Sequence, residues 1–578
     1  MAATPISSRQ RVLNRRTSLW TLRSMRDVEY KEVTQFLIPR LGKFYRPSDD
    51  RSQRYSQYKS ILDSTGTKAH RIASAGLMAG MTSPARPWFR VKTADNDLAE
   101  FDPVKDWLGK LTTMMQDVYA SSNTYRSLHS IYEELVAFGT GCSLMVPDYK
   151  DIVRHHVMTV GEYAIATDNR GVACTVVRDY EMTVEEMAEE FGLDKLSMGA
   201  RNAYDRGNYD QRFTITHLIE PRKNRDLTKR DAKNKRFQSI YVEAGSASTA
   251  YDNQGSPDGL LRESGFDRFP ALAPRWSTAS NEVYGWGPAM EAIGDIKQLQ
   301  HEQLRKGQAI DYQTDPPLQV PTSLKGRAMD RLPGGITYID DVGGNQSRGI
   351  RSMFEVKLEL NALLADIQDV RDRINSAMFV DLFMMISNDE RSDITAREIA
   401  ERHEEKLLML GPVLERLHDE LLSPMIDITF DQIVAAGALP PPPKELQGHD
   451  LNIEFVSTLA QAQRAVGITS VDRLIGMVGS VAQMKPEVLD KIDADQMVDR
   501  YADMLGVDPS IIVADEKVAI VRQQRAKQQA QMQAAAMVPT AAGAAKDMSQ
   551  TNTDGKNALT DVMSMFSGYN NASGGAGQ

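Results

Sequence analysis

The sequence predicts a mostly helical α+β fold in several domains, and three observations carry that expectation. At 578 residues the chain exceeds the roughly 250 residues at which single cores usually stop growing. Long runs with apolar residues at helical spacing occupy both halves. Between about 141 and 280 the pattern changes to short runs rich in Val, Ile, Thr and Tyr separated by turn residues, which is the pattern of antiparallel strands.

Residues 9–38 read as one helix, with Leu13, Leu19, Leu22, Met25 and Val33 on its apolar side. Ile38-Pro39-Arg40 ends it, because proline disfavours a continuing helix. In residues 61–81, Gly66, Gly76 and Gly80 permit close packing, and Ser83-Pro84 stops the segment. Pro87-Trp88-Phe89-Arg90-Val91 begins a strand, and 103–138 is again helical up to a turn at Gly139-Thr140-Gly141. The expected strands are Cys142–Val146, Tyr163–Thr167, Val172–Val177, Phe213–Ile219 and Phe237–Val242. Among them lies a helix at Thr183–Phe191, whose Thr183-x-x-Glu186 has the form of a capping box.

Gly285-Trp286-Gly287-Pro288 then starts a helix expected to reach about Ile310, with Pro288 in the harmless first turn. Ala289, Ala292, Ile293, Ile296 and Leu299 form a narrow apolar stripe, and the rest is polar. Twenty-three helical residues span roughly 34 Å. A stripe that narrow suits a helix that packs on like neighbours and also meets water. A non-helical insert containing Pro316, Pro317, Pro321 and Pro333 follows, with a strand-like Gly335–Ile339. A second long helix is expected over Ser352–Phe383, giving a stalk with a tip. Ser387–Asp393 is a polar break, and a helix restarts at Thr395 with a second capping box, kinked at Gly411-Pro412. Pro440–Pro443 make a stiff spacer. A helical block from about 457 to 526 follows, and beyond 538 the Gly, Ser, Asn and Thr content predicts disorder.

Charge and motifs narrow the function. The net charge of −10 is the wrong sign for a protein that grips DNA tightly and suits a surface that DNA slides past. Two basic regions stand out: fifteen Arg or Lys against six Asp or Glu in 9–71, and nine against three in 211–240. Both are candidate patches for polyanions or acidic neighbours, or simply solvated edges. No eighteen-residue apolar stretch exists, and Met1–Arg11 has no apolar block behind it, so neither a membrane span nor a signal peptide is expected. Cys142 and Cys174, the only cysteines, suggest a reducing compartment. No Walker A loop occurs. His155 and His156 are adjacent and point apart on a strand, Asp148 and Asp151 lack further ligands nearby, and Glu401, Glu404 and Glu405 pair with basic residues of their own helix. No enzyme, metal site or cofactor is expected.

The chain resembles the head-to-tail connector, or portal, proteins of short-tailed bacteriophages over residues 9 to about 530. The resemblance rests on five stretches in order. They are Arg15-Arg16-Thr17-Ser18-Leu19-Trp20, Leu62–Gly66 continuing to Gly76–Pro84, Pro87-Trp88-Phe89, Glu282–Pro288, and Thr395-Ala396-Arg397-Glu398. It implies a ring of twelve subunits at one capsid vertex, through which double-stranded DNA passes non-specifically during packaging and ejection. The implied partners are terminase, a tail adaptor, and the major capsid and scaffolding proteins, in the virion and in host cytoplasm during assembly. By the same resemblance 1–284 is the wing, 285–310 and 352–383 the stem, and 311–351 the clip. Residues 384–450 hold the channel loop and a wing helix, 451–526 the crown, and 527–578 a short barrel helix and flexible tail. Asn388, Asp389, Glu390, Arg391, Ser392, Asp393 and Ile394 match the loop that narrows the channel. Lys297, His301, Arg305 and Lys306 are candidate DNA-near groups of the stem, or partners for carboxylates of the neighbouring stem. The competing readings are a DNA-processing enzyme, for which a nucleotide loop or carboxylate pair would be needed, and a tail structural protein without a channel.

Overall fold

The computed structural model describes residues 7–44, 61–93, 101–229, 231–245, 259–314, 360–387, 409–446 and 451–457, with 95, 98, 318–319, 351–352, 448, 474–481, 495–498, 513 and 518–532. The first compact unit runs through Gly506 apart from residues 100–102, and the second, besides residues 101–102 and 513, is described over an exposed helix at 518–532. Among the described residues no helix is long and apolar enough to cross a membrane.

The N-terminal helix is two helices, α1 (Ser8–Ser24) and α2 (Asp27–Phe36), because Met25 and Arg26 interrupt it. Only α2 joins the main helical core: its Tyr30 and Val33 pack there, whereas Val12 and Leu19 of α1 cover a sheet. The next helix, α3 (Thr65–Met81), is crossed so closely that a Cβ on Gly76 would lie 2.3 Å from the Phe383 ring and one on Gly66 3.2 Å from Ile296. The expected 103–138 helix is likewise two, α4 (Asp102–Ser121) and α5 (Thr124–Phe138), separated at Ser122-Asn123.

The strand-rich region forms two sheets. A five-stranded antiparallel sheet has the order β4 (Tyr163–Thr167), β5 (Ala173–Thr183), β6 (Arg212–Pro221), β7 (Phe237–Glu243), β8 (Arg262–Phe266). A smaller one has β2 (Cys142–Asp148) between β3 (Ile152–Met158) and β9 (Ala271–Leu272). Alternation decides what each face meets. Val176 packs toward the small sheet with Tyr163, Ile165 and Ile219, while its neighbour Val177 packs under α1 with Val12 and Leu19. Arg16 of α1 locks that layer by donating to Asp179 of β5 at 2.8 Å. The helix expected after Thr183 is α6 (Val184–Phe191), with both capping-box bonds formed, and α7 (Met198–Asp205) follows. The five expected strands are present; β3, β8 and β9 are additional.

Two long helices leave the helical body as an antiparallel pair, α8 (Pro288–Thr314) and α9 (Leu360–Ala377). The short pairing of β10 (Leu318–Gln319) with β11 (Arg351–Ser352) continues the hairpin. The second long helix does not run unbroken to 383: Phe379, at φ 56°, separates α9 from α10 (Val380–Ser387). Residues 409–417 are helical through Gly411-Pro412, and a wider π turn at His418–Leu422 precedes α11 (Ser423–Ala435). The segment beginning at 451 opens with a strand, β12 (Leu451–Phe455), paired antiparallel with β1 (Phe89–Thr93). The expected helices of 395–408 and most of 457–526 lie outside the described residues, although the pieces 474–481 and 495–498 are helical.

Three glycines fix the root of α8. Gly139 ends α5 at φ 71°, and a Cβ there would stand 2.5 Å from the Gly287 nitrogen. The Gly139 carbonyl accepts from the Trp276 N–H at 2.9 Å, and the Gly285 N–H donates to the Thr140 hydroxyl at 2.8 Å. Gly139→Ala therefore meets both a left-handed φ and a backbone collision. It is expected to cost at least about 2 kcal/mol. Gly171→Ala, at φ 78° but with open space around it, is expected to cost about 1 kcal/mol. Urea midpoints of the two variants read the difference, and equal losses would refute the close-approach account.

Candidate functional site at the paired long helices

The feature with no ordinary structural explanation is the outer half of the α8–α9 pair. On α8 the buried residues are Pro288, Ala289, Met290, Ala292, Ile296, Leu299 and Gln300, and no residue from His301 to Thr314 is buried. On α9, Ile367, Val370 and Ile374 are buried, whereas Leu364 is 46% exposed. Fourteen residues beyond Gln300 amount to about 21 Å of helix with no core of its own.

A polar clamp holds the pair where burial ends. The Gln300 side-chain carbonyl accepts from the N–H groups of Leu62 and Asp63 at 2.6 and 2.9 Å, and its amide donates to the Asp63 carbonyl at 2.8 Å. The Asp63 carboxylate accepts from Gln303 of α8 at 3.1 Å and from Arg371 of α9 at 2.7 Å. Its other oxygen accepts from the Thr65 N–H at 2.8 Å and hydroxyl at 2.5 Å, at the start of α3. One residue thus joins three helices. Burial opposes ionisation of Asp63, but the bonds from Thr65 and Arg371 outweigh it and lower its pKa.

The opposite side of the pair is acidic. Arg373 of α9 reaches Asp295 of α8 at 3.3 Å and its own Asp369 at 3.4 Å, which places these charges together. Helical spacing adds Asp366 and Glu302 to that side, together with Lys306 four residues beyond Glu302, which leaves four carboxylates against Arg373 and Lys306.

The basic residues singled out from the sequence do not act as a group of four. Lys297, His301 and Arg305 follow one another every fourth residue and line one edge of α8, whereas Lys306 lies about 100° round the helix from Arg305. Lys297 is engaged by Glu32 of α2 at 3.1 Å. Arg305 touches the His301 ring at 3.5 Å and Gln308 at 3.0 Å. The channel-loop residues Asn388–Ile394 lie outside the described residues, as does 320–350.

Among the described residues, three of the nine basic residues of the second region are paired with carboxylates. Arg222 pairs with Glu263 at 2.7 Å, Lys235 with Asp267 at 3.1 Å and Lys229 with Asp226 at 3.5 Å. A charged cleft of about 1210 Å³ beside the β4–β5 turn is an ionic seam. In it Arg275 donates to Glu420 at 3.1 Å, and Arg268 holds Asp427 and Asp431. Among the described residues no cluster of His, Cys, Asp or Glu could hold a metal ion. His155 is buried and His156 partly exposed on the opposite face of β3, and Asp148 caps a turn by accepting from the Lys150 N–H at 2.7 Å. Burial pushes the Glu134 carboxyl up to about 8, where it ties α5 to Thr159 and Val160.

Sequence reasoning missed the clamp. Its one local signal is Asp63 two residues before Thr65, a side chain placed to cap a turn; Gln300 reads from the sequence as part of the polar side of the helix, whereas the structure buries it.

A family model described as bacteriophage head to tail connecting protein matches residues 9–513. A protein of Bordetella phage BPP-1 named "Probable portal protein" is 51% identical, covering 97% of this chain and 99% of its own length. The portal protein of Salmonella phage epsilon15 is 43% identical over 96% and 98%, and that of Enterobacteria phage T3 is 21% identical over 89% and 90%.

Asp63→Asn is expected to lose roughly 1.5–3 kcal/mol at pH 7 in chemical denaturation, since hydrogen bonds to a charged group are removed. The folded-state pKa lies below the unfolded value, so the ionised carboxylate's contribution is complete above about pH 4 and fades as pH falls through the folded value. The gap between the two proteins should narrow below pH 4. A gap unchanged down to pH 3 would show that charge at Asp63 contributes nothing.

Proposed function

The chain belongs to the bacteriophage head to tail connecting protein family, and from that premise we propose that it is a portal subunit whose copies close into a ring at one capsid vertex. The ring is the channel for genome packaging and ejection, and the platform on which the packaging motor and the tail dock. The observation that carries this reading is the near-full-length likeness to two phage portal proteins, at 51% and 43% identity. The α8–α9 pair supports it physically. An arm that exposes apolar residues for half its length, held firmly at its root, is suited to packing beside further copies of itself.

In this reading α8 and α9 are the stem and the segment between them is the clip, which meets terminase first and the tail adaptor later. The five-stranded sheet with its covering helices belongs to the wing, the region after β12 is the crown, and residues beyond 526 add a short barrel helix or tail. Twelve subunits, and contact with the major capsid and scaffolding proteins, complete the proposal. Residues 388–394 form a loop that narrows the channel and brushes the DNA backbone without reading bases. The acidic side of the stem pair, repeated in every copy, repels phosphate and lets DNA move without adhering. Chemistry is left to other proteins: the chain supplies shape and charge.

Negative-stain imaging of the purified chain should show rings with a central hole of DNA width; discs without a hole, fibres or persistent monomers would overturn the proposal. Deleting 388–394 should leave ring formation intact and reduce DNA packaging or retention. Loss of the rings in that variant would move the gate elsewhere in the chain.

A further inference from the structure

The hairpin that joins β6 to β7 concentrates charge of one sign. From Arg222 to Arg236 it holds eight Arg or Lys against two carboxylates, Asp226 and Asp231. Both carboxylates are used in shaping the loop. Asp226 accepts from the Thr228 N–H at 3.0 Å and from its hydroxyl at 2.6 Å, and Asp231 accepts from the Asn234 side-chain amide at 2.5 Å. The Arg222 N–H donates to the Arg236 carbonyl at 2.8 Å, and the Asp226 N–H to the Asn234 side-chain carbonyl at 2.9 Å. The loop is thus tied across its foot and again toward its tip. Arg225 and Lys233, each one residue before an end of the second tie, are held at the same level. Lys223, Arg225 and Lys233 are exposed, and among the described residues none of the three has a carboxylate within ion-pair distance. Leu227, next to Asp226, is 76% exposed and adds nothing to the core of its own chain.

We propose that this hairpin tip binds a partner protein through an acidic segment that carries an aliphatic side chain among its carboxylates. Lys223, Arg225 and Lys233 would meet the carboxylates, and Leu227 the aliphatic group. Three features select this occupant. The cations are left unneutralised by a loop that has already committed its own acids to other bonds. The loop is tied in place before any partner arrives, which removes part of the ordering cost of binding. An exposed leucine beside the cations gives an acidic peptide an apolar contact, whereas a DNA backbone is read through its phosphates and sugars. Duplex DNA would also have to approach Asp226 and Asp231. The contact goes beyond the ring reading and does not depend on ring closure, because the whole tip lies within one chain.

The test uses the full-length chain and three fluorescein-labelled probes of equal charge: a repeated Glu-Glu-Leu peptide, polyglutamate and a DNA duplex. Fluorescence anisotropy at low salt should show the Glu-Glu-Leu peptide bound more tightly than either of the others. Combining Lys223→Glu, Arg225→Glu and Lys233→Glu should weaken that binding at least about tenfold, the joint effect of three exposed ion pairs. Leu227→Ser should weaken the Glu-Glu-Leu peptide about tenfold, the effect of losing one buried aliphatic contact, and leave polyglutamate unchanged. Circular dichroism checks the fold, and the milder set Lys223→Gln, Arg225→Gln and Lys233→Gln should shift affinity in the same direction. No binding to the unaltered chain, or binding untouched by either set, would overturn the proposal. So would duplex DNA bound as tightly as the peptide, which would make the tip a phosphate site. Equal losses for polyglutamate and the Glu-Glu-Leu peptide in Leu227→Ser would remove the aliphatic contact and sink the proposal as stated. A change of oligomeric state in native mass spectrometry on charge reversal would reassign the tip to a contact between copies and overturn it.

Discussion

The structure depends on how an exposed pair of helices is held by a body it barely touches. Helices gain most of their stability in proteins from burying a face, and α8 stops doing so at Gln300. There the apolar stripe gives way to an amide that satisfies two backbone N–H groups and one carbonyl of the Leu62-Asp63 turn. Asp63 then extends the same fixation to α9 through Arg371 and to α3 through Thr65. Directional bonds suit this position better than another leucine, because they fix rotation as well as contact. The glycine approach between Gly139 and Gly285–Gly287 sets where α8 begins, and the clamp sets where it is released.

The charge distribution follows from the same arrangement. A helix pair that packs only at its root is free to carry polar groups over the rest of its surface, and it sorts them by side. The side containing Asp295, Asp366 and Asp369 is acidic. The α8 edge is basic, and Lys297 at its inner end is already engaged by Glu32. A whole-chain charge of −10 hides that division. The short-range nature of screened charge at physiological salt, about 8 Å, means that only sorting at this scale can matter to a neighbour.

How much of this was legible in the sequence follows the range of the interactions. Signals that act within a few residues are legible: the Thr183–Glu186 capping box, the Gly139 turn, Pro288 in the first turn of α8 and the five strands rich in Val, Ile, Thr and Tyr between turn residues. Signals that depend on distant partners are not. β12 is a strand because β1 pairs with it from hundreds of residues away, and Leu451–Phe455 alone gives little hint of that. β9, two residues long, exists because β2 offers an edge. The breaks at Met25–Arg26 and Phe379 fall in stretches whose apolar spacing continues across them, so periodicity overlooked both. The stem site divided in the same way. His301 and Arg305 were visible as charges on a helix, but Lys306 could be separated from them only by rotation, and Asp63 only by folding.

The outer half of the stem poses the remaining physical question, which is why a chain would leave Leu304, Ile310, Tyr312 and Leu364 exposed. Scattered surface leucines need no explanation. These four lie on the unburied outer halves of α8 and α9, beside His301 and Arg305 on one helix and Gln368 and Asp372 on the other. A symmetric patch would pair two copies face to face and stop, because an isologous contact uses itself up. Two unlike edges cannot do so; each contact leaves one edge of either kind open until the ring closes. The α8–α9 pair has two such unlike edges, with His301 and Arg305 on one and Gln368 and Asp372 on the other. The clamp at Asp63 fixes the angle at which that pair leaves the body, through Gln303 of α8 and Arg371 of α9.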